Sequence, residues 1–321
     1  MNDRSSQPKP KVRLVTITEA HEGQRVDNFL LRELKGVPKS RIYRILRKGE
    51  VRVNKSRVKP EYKLQEGDLV RIPPVIVAER NIVNSVSDGL TRHLQQAVLY
   101  EDSSLLIINK PSGLAVHGGS GISLGLIEAL RILRPQAKFL ELVHRLDRDT
   151  SGCVMVAKKR SMLKYLQNCL RERHSVDKRY LALVAGSWSV NCNLVSAALL
   201  KTTLQSGERV VNVSAEGKKS TTKFNVINRY ADATLVQASP ITGRTHQIRV
   251  HALHAGCPLL GDDKYGEVES NRLFKQRGLN RLFLHAESLR LQLPDSAEQL
   301  KVTAPLEPAL EKLLATFQRA H

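Results

Sequence analysis

The segment from His144 to Gly152, HRLDRDTSG, concentrates polar side chains between two apolar runs. Because it follows the run Leu140–Val143, it is expected to place Asp147 on a loop beyond the end of a strand, where chemistry is often held. The neighbouring Arg145 and Arg148 should keep the Asp147 carboxylate ionised and fix its orientation. From these residues alone, a turn closed by Asx-type hydrogen bonds is an equally good interpretation.

A second carboxylate close to Asp147 makes hydrolysis one chemistry to consider. Asp149 lies two residues further on, so in an extended loop both carboxylates point to the same side, about 7 Å apart. That separation fits an inverting glycosidase better than a retaining one. The basic composition of the chain disfavours a neutral sugar substrate, so hydrolysis is the less favoured reading.

The other polar cluster is the segment Thr242–His251, TGRTHQIRVH. Thr245 is expected to cap a helix that ends at Gly256, with Gln247 and Arg249 projecting from its first turns. The amino end of that helix would add positive potential near a phosphate or a carboxylate.

The sequence predicts no metal and no nucleotide cofactor. Of His246, His251 and His254, only the last two share a helical face, and no acid stands at HExxH spacing. Histidines in the core or in contact with phosphate are the preferred interpretation. No GxxxxGK[ST] loop occurs, and Leu124 stands where GxGxxG would need its third glycine.

The composition indicates what the elements carrying these clusters must bind. The 321 residues include 51 Lys and Arg against 31 Asp and Glu, a net charge of +20, which points to an anionic partner. Aromatic residues make up only 4%, which argues against an open platform for stacking bases. The segment Arg32–Lys59 alone holds 11 basic and 2 acidic residues.

That basic segment has the pattern of a folded unit. Val26, Phe29 and Leu30 predict one helix, and Ser40 is expected to cap a second helix that ends at Gly49. The second helix carries Arg41, Arg44 and Lys48 on a face away from its apolar stripe, and Lys39, just before its cap, adds a further basic side chain. Such a face can follow a phosphate backbone without reading sequence; a solvated, salt-bridged surface is the alternative.

The rest of the chain mixes strand-like and helical runs, which favours an α+β fold over a regular βαβ array. Strands are predicted at 105–109, 154–157, 180–184 and 282–284, and helices at 124–133, 162–173 and 309–317. The predicted organisation is a basic arm (1–13), a small module (14–75), a linker (76–95) and a large domain (96–321). A polar amino terminus, the lack of an apolar stretch of membrane-spanning length and four cysteines without a CxxC pair favour a cytoplasmic, non-membrane protein.

Together, these motifs resemble two known families. Residues 14–75 resemble the S-four-like RNA-binding module, and residues 98–290 resemble the RluA-type RNA pseudouridine synthases, which convert uridine in RNA to its C-glycoside isomer. The matching motifs of the second family, in family order, are Asn109–Gly113 with Val116–His117, His144–Gly152, Lys178–Tyr180, Thr242–His251, Gly261–Gly266 and Leu284–Ala286.

The resemblance implies a fold, a substrate and roles for particular residues. It implies a catalytic domain on a mixed, mainly antiparallel, bent β-sheet with flanking helices, acting as a monomer without cofactor on uridines of 23S ribosomal RNA. Asp147 would be the essential carboxylate, attacking the sugar or taking a ribose proton, and Arg249 would pair with it. Tyr180 would pack on the uracil and take part in the final proton transfer, and Arg145 would enter the RNA helix as the base flips out. The remaining RNA contacts would come from His144, Arg148, Arg244, Thr245 and His246.

A non-enzymatic binder of ribosomal RNA is the main alternative. It would explain the basic module but would leave Asp147 and Arg249 without a role. The sequence leaves open which uridines are modified.

Overall fold

The computed structural model describes residues 11–34, 36–75, 85–118, 124–172, 175–203, 208–294, 296 and 298–317. The chain divides into two compact units, residues 1–84 and 85–321, and this division falls inside the predicted linker. Most of the predicted basic arm and residues 76–84 of the linker lie outside the described residues. The end of the predicted linker is helical.

The elements of the described residues are numbered in chain order. The helices are α1 (Val26–Glu33), α2 (Lys39–Arg47), α3 (Asp88–Gln96), α4 (Leu126–Leu133), α5 (Arg160–Glu172), α6 (Gln247–His254), α7 (Val268–Gln276) and α8 (Pro308–Ala315). The strands are β1 (Arg13–Thr16), β2 (Arg52–Val53), β3 (Leu69–Ile72), β4 (Val98–Glu101), β5 (Leu105–Lys110), β6 (Glu141–Leu142), β7 (Ser151–Ala157), β8 (Val176–Ala185), β9 (Leu194–Ser196), β10 (Leu199–Thr203), β11 (Arg209–Val213), β12 (Thr221–Arg229), β13 (Ala233–Pro240), β14 (Leu284–Gln292) and β15 (Gln299–Thr303). None of these helices is long and apolar enough to cross a membrane.

The small unit packs α1 and α2 with an antiparallel sheet of order β1-β3-β2. The apolar stripes that the sequence predicts for the two helices form its core, where Phe29 and Ile42 are fully buried. The predicted cap of α2 is wrong: the helix begins at Lys39 after Pro38, whose side chain cannot cap, and Ser40 lies inside the first turn. Gly49 follows the helix with a φ of 70°, as expected for a glycine that ends a helix.

The large unit is built on a ten-stranded sheet of order β4-β5-β7-β14-β8-β13-β12-β9, with β6 and β15 pairing at its sides. Within the described residues, β7 and β14 form its parallel pair and the other neighbours are antiparallel. The predicted α+β class with a mixed, mainly antiparallel sheet is therefore confirmed. A separate hairpin of β10 and β11 packs on α6.

The centre of the sheet is closely packed. Every residue of β7 is buried, and Trp188 is 2% exposed within the adjoining core. Gly152 has a φ of 107°, and a Cβ at this position would collide with the backbone of Ala286 in β14. Only glycine therefore allows β7 and β14 to pair at the point where the polar loop 143–150 enters the sheet.

Candidate active site

The two polar clusters of the sequence meet in one cavity of the large unit, with a volume of about 580 Å³. Its walls come from the loop before β7, from the start of β8, from the turn before α6 and from α6 itself. The predicted site residues among its lining are His144, Arg145, Asp147, Tyr180, Arg244, Thr245, His246 and Arg249. The two clusters lie about 100 residues apart in the sequence. They meet because β7, which follows the first cluster, and β13, which precedes the second, belong to the same sheet.

Asp147 is held from one side by Arg249. Its Oδ2 accepts a hydrogen bond from Nη1 of Arg249 at 3.4 Å, and the Nε2 of His246 lies 3.8 Å from the same oxygen. Within the described residues, Oδ1 of Asp147 has no hydrogen-bond partner. With 24% of its side chain exposed, the carboxylate is fixed in orientation but keeps one oxygen available to a substrate.

Arg249 is itself fixed by a second carboxylate, Asp262. Nε and Nη2 of Arg249 each donate to an oxygen of Asp262 at 2.7 Å, and the Asp262 side chain is 0% exposed. Oδ1 of Asp262 also accepts from the backbone N–H groups of Lys264 and Tyr265, both at 3.0 Å. This bidentate arrangement leaves Nη1 of Arg249 directed at Asp147.

The Arg249–Asp262 pair stays ionised although it is buried. Burial is the largest single influence and raises the pKa of Asp262, but the hydrogen bonds and the charge of Arg249, together with the backbone N–H groups of Tyr265 and Lys264, outweigh it and the pKa is lowered overall. Burial likewise opposes the charge of Arg249, yet Asp262 and then Asp147 raise the pKa of the guanidinium. Asp147 therefore faces a permanent cation in a partly desolvated site, where charge interactions are stronger than in water.

His246 and Tyr265 form a further contact with this group. His246 has a left-handed backbone, with a φ of 52°, which is a strained conformation for a residue with a side chain. Its Nδ1 lies 2.7 Å from the hydroxyl oxygen of Tyr265, and this oxygen also accepts from the backbone N–H of Val211 in β11 at 2.9 Å. The Tyr265 ring centre lies 4.9 Å from the guanidinium carbon of Arg249, so one tyrosine joins the hairpin, His246 and Arg249.

The loop that carries Asp147 is anchored by Lys110, a residue for which the sequence predicts no individual role. Lys110 is fully buried, and its Nζ donates to the backbone oxygens of Pro111, Leu114 and Arg148, at 2.8, 2.7 and 2.9 Å. Gly113 donates its N–H to the same Arg148 oxygen at 2.9 Å. The main chain next to Asp147 is thus fixed by buried hydrogen bonds. In the sequence, the only indication that Lys110 has such a role is the motif Asn109–Gly113.

Tyr180 and His144 line the cavity as neutral groups. Burial, and after it the negative charge of Asp147, raises the pKa of the Tyr180 hydroxyl, so the phenol keeps its proton at neutral pH. Burial, followed by the charge of Lys178, lowers the pKa of His144 to about 3. Nε2 of His144 accepts a hydrogen bond from the backbone N–H of Met155 in β7 at 3.1 Å, which ties the loop to the strand.

The turn before α6 differs from its prediction. Thr245 does not cap the helix, which begins at Gln247 after the left-handed His246. Gln247 is buried rather than projecting, because its Oε1 accepts from the Arg244 backbone N–H at 3.0 Å and from the Thr242 hydroxyl at 2.6 Å. Arg244 and Thr245 are exposed at the cavity, and the Gln247 side chain closes the turn in place of the predicted cap.

Three other sequence candidates lie apart from the cavity lining. Arg148 is 63% exposed and pairs with Asp149 at 3.0 Å, and neither residue lines the cavity. The pair of carboxylates that hydrolysis would need is therefore not formed. His251 is a core residue, with its ring nitrogens 3.1 Å from the Ser220 hydroxyl and 2.9 Å from the Thr222 hydroxyl.

The basic face of α2 belongs to the small unit. Its four predicted contact residues are exposed, and none of them forms an ion pair within the described part of that unit. They are Lys39, Arg41, Arg44 and Lys48. The alternative of a salt-bridged surface is thus not supported for this face, which is accessible to an anionic partner.

Comparisons with known proteins agree with the motifs. The RNA pseudouridylate synthase family matches residues 104–254, and the S4 domain matches residues 24–70. Ribosomal large subunit pseudouridine synthase C of Pasteurella multocida is 58% identical over 309 residues, which cover 96% of this chain and 94% of that protein. The protein of the same name from Escherichia coli strain K12 is 57% identical over 319 residues, which cover 97% of this chain and 98% of that protein.

A solved structure is also similar. Human RNA pseudouridylate synthase domain containing 4 matches with a TM-score of 0.58 and 29% identity, over 70% of this chain and 96% of that chain. The resemblance inferred from the sequence motifs is confirmed by these matches. The chain belongs to the RNA pseudouridylate synthase family.

Proposed function

We propose that the chain isomerises uridine to pseudouridine at specific positions of 23S, large-subunit ribosomal RNA, with Asp147 as the essential carboxylate. The observation that carries the proposal is the arrangement at Asp147: one carboxylate oxygen is held by Arg249 at 3.4 Å and the other is available in a cavity of about 580 Å³. The substrate is inferred from the similar proteins, whose names state that they act on the large ribosomal subunit.

The reaction exchanges one bond of the uridine for another. The bond between N1 of uracil and C1′ of ribose breaks, the base turns while it stays bound, and C5 joins C1′. C5 then loses its proton and N1 gains one, so that the product is an isomer of the substrate and no oxidant or reductant is consumed. Asp147 starts this sequence by attacking C1′ or by taking a ribose proton, and the available oxygen suits either role.

Tyr180 and Arg145 would handle the base. Tyr180 is 8% exposed and lines the cavity, which supports a role in packing on the uracil while it turns. The raised pKa of its hydroxyl makes it a poor base at neutral pH and therefore favours packing over proton removal. Arg145 is exposed at the cavity, a position that suits a side chain that replaces the flipped nucleotide in the RNA.

The exposed basic face of α2 would bind RNA outside the catalytic cavity. Its four cations, which form no ion pair within the described residues, can follow the phosphate backbone and raise affinity without selecting a sequence. We further propose that the protein acts in the cytoplasm as a monomer; the four cysteines, all free, are compatible with a reducing compartment.

Release of tritium from RNA labelled at uracil C5 tests the proposal, because C5 loses its hydrogen only if it joins the ribose. With deproteinised 23S RNA, the wild-type protein should release tritium and Asp147→Asn should release none. Asp149→Asn is the matched control: it changes a neighbouring carboxylate that does not line the cavity, and it should retain activity.

Two results would contradict the proposal. A wild-type protein that binds the RNA but releases no tritium would support the non-enzymatic binder, and equal release by Asp147→Asn would remove the role of that carboxylate. Free uracil among the products would instead indicate hydrolysis. Mapping of pseudouridines in 23S RNA from cells with and without the gene would give the modified positions.

A further inference from the structure

The cavity contains positive charge that the proposed chemistry does not use. Among the described residues that line it, Asp147 is the carboxylate, whereas the cations are Arg145, Arg171, Lys178, Arg244 and Arg249. Arg249 is neutralised by Asp262 from behind, and Arg145 has a proposed role in base flipping. Lys178 and Arg244 have no counter-charge among the residues that the structure describes.

Lys178 lies beside the proposed base-packing residue. It precedes Tyr180 by two positions on β8, so both side chains point to the same face of the strand, with their Cα atoms about 7 Å apart. Both line the cavity. Arg179, between them, points to the other face and pairs with Asp177 at 2.9 Å.

The Lys178 ammonium is placed in the cavity wall without a neutralising partner. Its Nζ lies against Gly243, 4.0 Å from the position of a Cβ there. Across the described parts of the chain, Lys178 forms no hydrogen bond or ion pair. Burial lowers the pKa of this lysine, and no described carboxylate lies close enough to oppose the effect.

An ammonium that is partly desolvated without a counter-ion is unfavourable, so a ligand that brings negative charge gains from binding there. In RNA the full negative charges are the phosphodiesters, whereas the uracil and ribose are neutral. Arg244 follows Gly243 directly and is exposed at the same cavity, where its planar guanidinium can bind two oxygens of one phosphate. The length of one nucleotide is comparable to the distance of about 7 Å between the Cα atoms of Tyr180 and Lys178.

We propose that Lys178 and Arg244 form a subsite for the phosphodiester of the nucleotide whose base packs on Tyr180. The subsite would recognise the position of the phosphate, not the identity of a base. This inference rests on the proposed function, because it assumes that the flipped nucleotide occupies the cavity. It adds a contact that holds the backbone while the uracil is detached.

The first test removes the charge. Lys178→Met should raise KM for the 23S transcript by about tenfold, as expected for the loss of one charge-assisted hydrogen bond, and should leave kcat within about twofold. Lys178→Arg, which keeps the charge, should recover most of the affinity. Arg179→Met is the matched control because it removes one positive charge from the same strand on the opposite face, and it should leave KM unchanged within about twofold.

The second test removes the charge from the RNA. In a synthetic RNA that contains a modified uridine, a methylphosphonate at that nucleotide makes one linkage neutral. Wild-type affinity for this RNA should fall by about tenfold, and Lys178→Met should lose less affinity on the same change than the wild type does, because one of the two cations that face the phosphate is already gone. The subsite would be wrong if Lys178→Met lost as much affinity for the methylphosphonate RNA as the wild type does, or if the KM of Lys178→Met were unchanged.

The two proposals can fail separately. If the wild-type protein forms no pseudouridine, the proposed reaction is wrong, whereas binding of native and methylphosphonate RNA still tests the phosphate contact. Unfolding followed by the fluorescence of Trp188, the one tryptophan of the chain, shows whether each variant is folded as the wild type is.

Discussion

Replacement of Asp262 by asparagine tests whether the buried ion pair behind the site is as important as its geometry indicates. Asparagine has nearly the shape of aspartate but lacks the negative charge and one of the two acceptors that Arg249 uses. The Asp262 side chain is 0% exposed and that of Arg249 is 8% exposed, so the arginine is left as a buried cation without its bidentate partner. Removal of one partner from such a pair destabilises a protein by about 3 to 5 kcal/mol.

The lower end of that range is expected here. Arg249 keeps its contact with Asp147 at 3.4 Å and its position over the Tyr265 ring, and both offset part of the loss. A destabilisation of about 3 kcal/mol, with an m-value of about 3 kcal/mol/M in urea, lowers the midpoint of unfolding by about 1 M. The fluorescence of Trp188 reports this transition for the large unit, in whose core it lies.

Two comparisons make the result decisive. Asp177→Asn, which weakens the partly exposed pair with Arg179 at 2.9 Å, should cost less than about 1 kcal/mol. The double variant Asp262→Asn with Arg249→Gln should lose at least about 1 kcal/mol less than the sum of the two single losses, because it leaves neither member of the buried pair as an unpaired charge. Additive losses, or a loss for Asp262→Asn no larger than that of the Asp177 control, would refute the account of the pair.

Three further outcomes are expected. Tyr265→Phe removes the hydroxyl that contacts His246 but keeps the ring over the arginine, so kcat should fall by about tenfold with little change in KM; steady-state kinetics would contradict this if KM alone changed. The pKa of His144 is lowered to about 3 in the folded protein, so the stability it contributes is complete above a pH of about 6.5 and is lost as the pH falls toward the folded-state pKa. Urea unfolding at pH 5 should therefore show the wild type to have lost about 1 to 2 kcal/mol more than His144→Gln, relative to pH 7, and parallel pH profiles would rule this out. Arg41→Gln combined with Arg44→Gln should reduce the slope of log K against log salt by about 1.4, or about 0.7 for each contact to single-stranded RNA; an unchanged slope in a binding titration would exclude α2 from the RNA interface.

The sequence predicts the elements of the fold better than their ends. The apolar runs at 105–109 and 154–157 lie in β5 and β7, whose buried positions leave a continuous signal. The strand predicted at 282–284 meets only the start of β14, which runs from Leu284 to Gln292, because most of this strand alternates polar and apolar residues. The hairpin of β10 and β11 is not predicted from the sequence, although the backbone N–H of Val211 in β11 donates to the hydroxyl oxygen of Tyr265.

The residues of the candidate site also differ in whether the sequence predicts them. Asp147 and Arg249 are indicated by motifs, and the structure brings them together. The contributions of Asp262, Tyr265 and Lys110 depend on contacts between residues far apart in sequence, so local spacing cannot reveal them. The cap predicted at Thr245 is wrong because a glutamine only two residues later satisfies the same turn with its side chain.

The anchoring of the Asp147 loop by Lys110 has a consequence for how this enzyme can be altered. All three hydrogen bonds of its ammonium end on main-chain oxygens, one of them that of Arg148, so this anchor does not depend on the side chains of Arg145, Asp147 and Arg148. These three side chains can therefore be exchanged one at a time while the loop backbone keeps its conformation. Libraries that vary Arg145, Asp147 and Arg148 but keep the buried Leu146 should yield folded proteins with altered chemistry, whereas a change at position 110 would disturb every member of such a library at once.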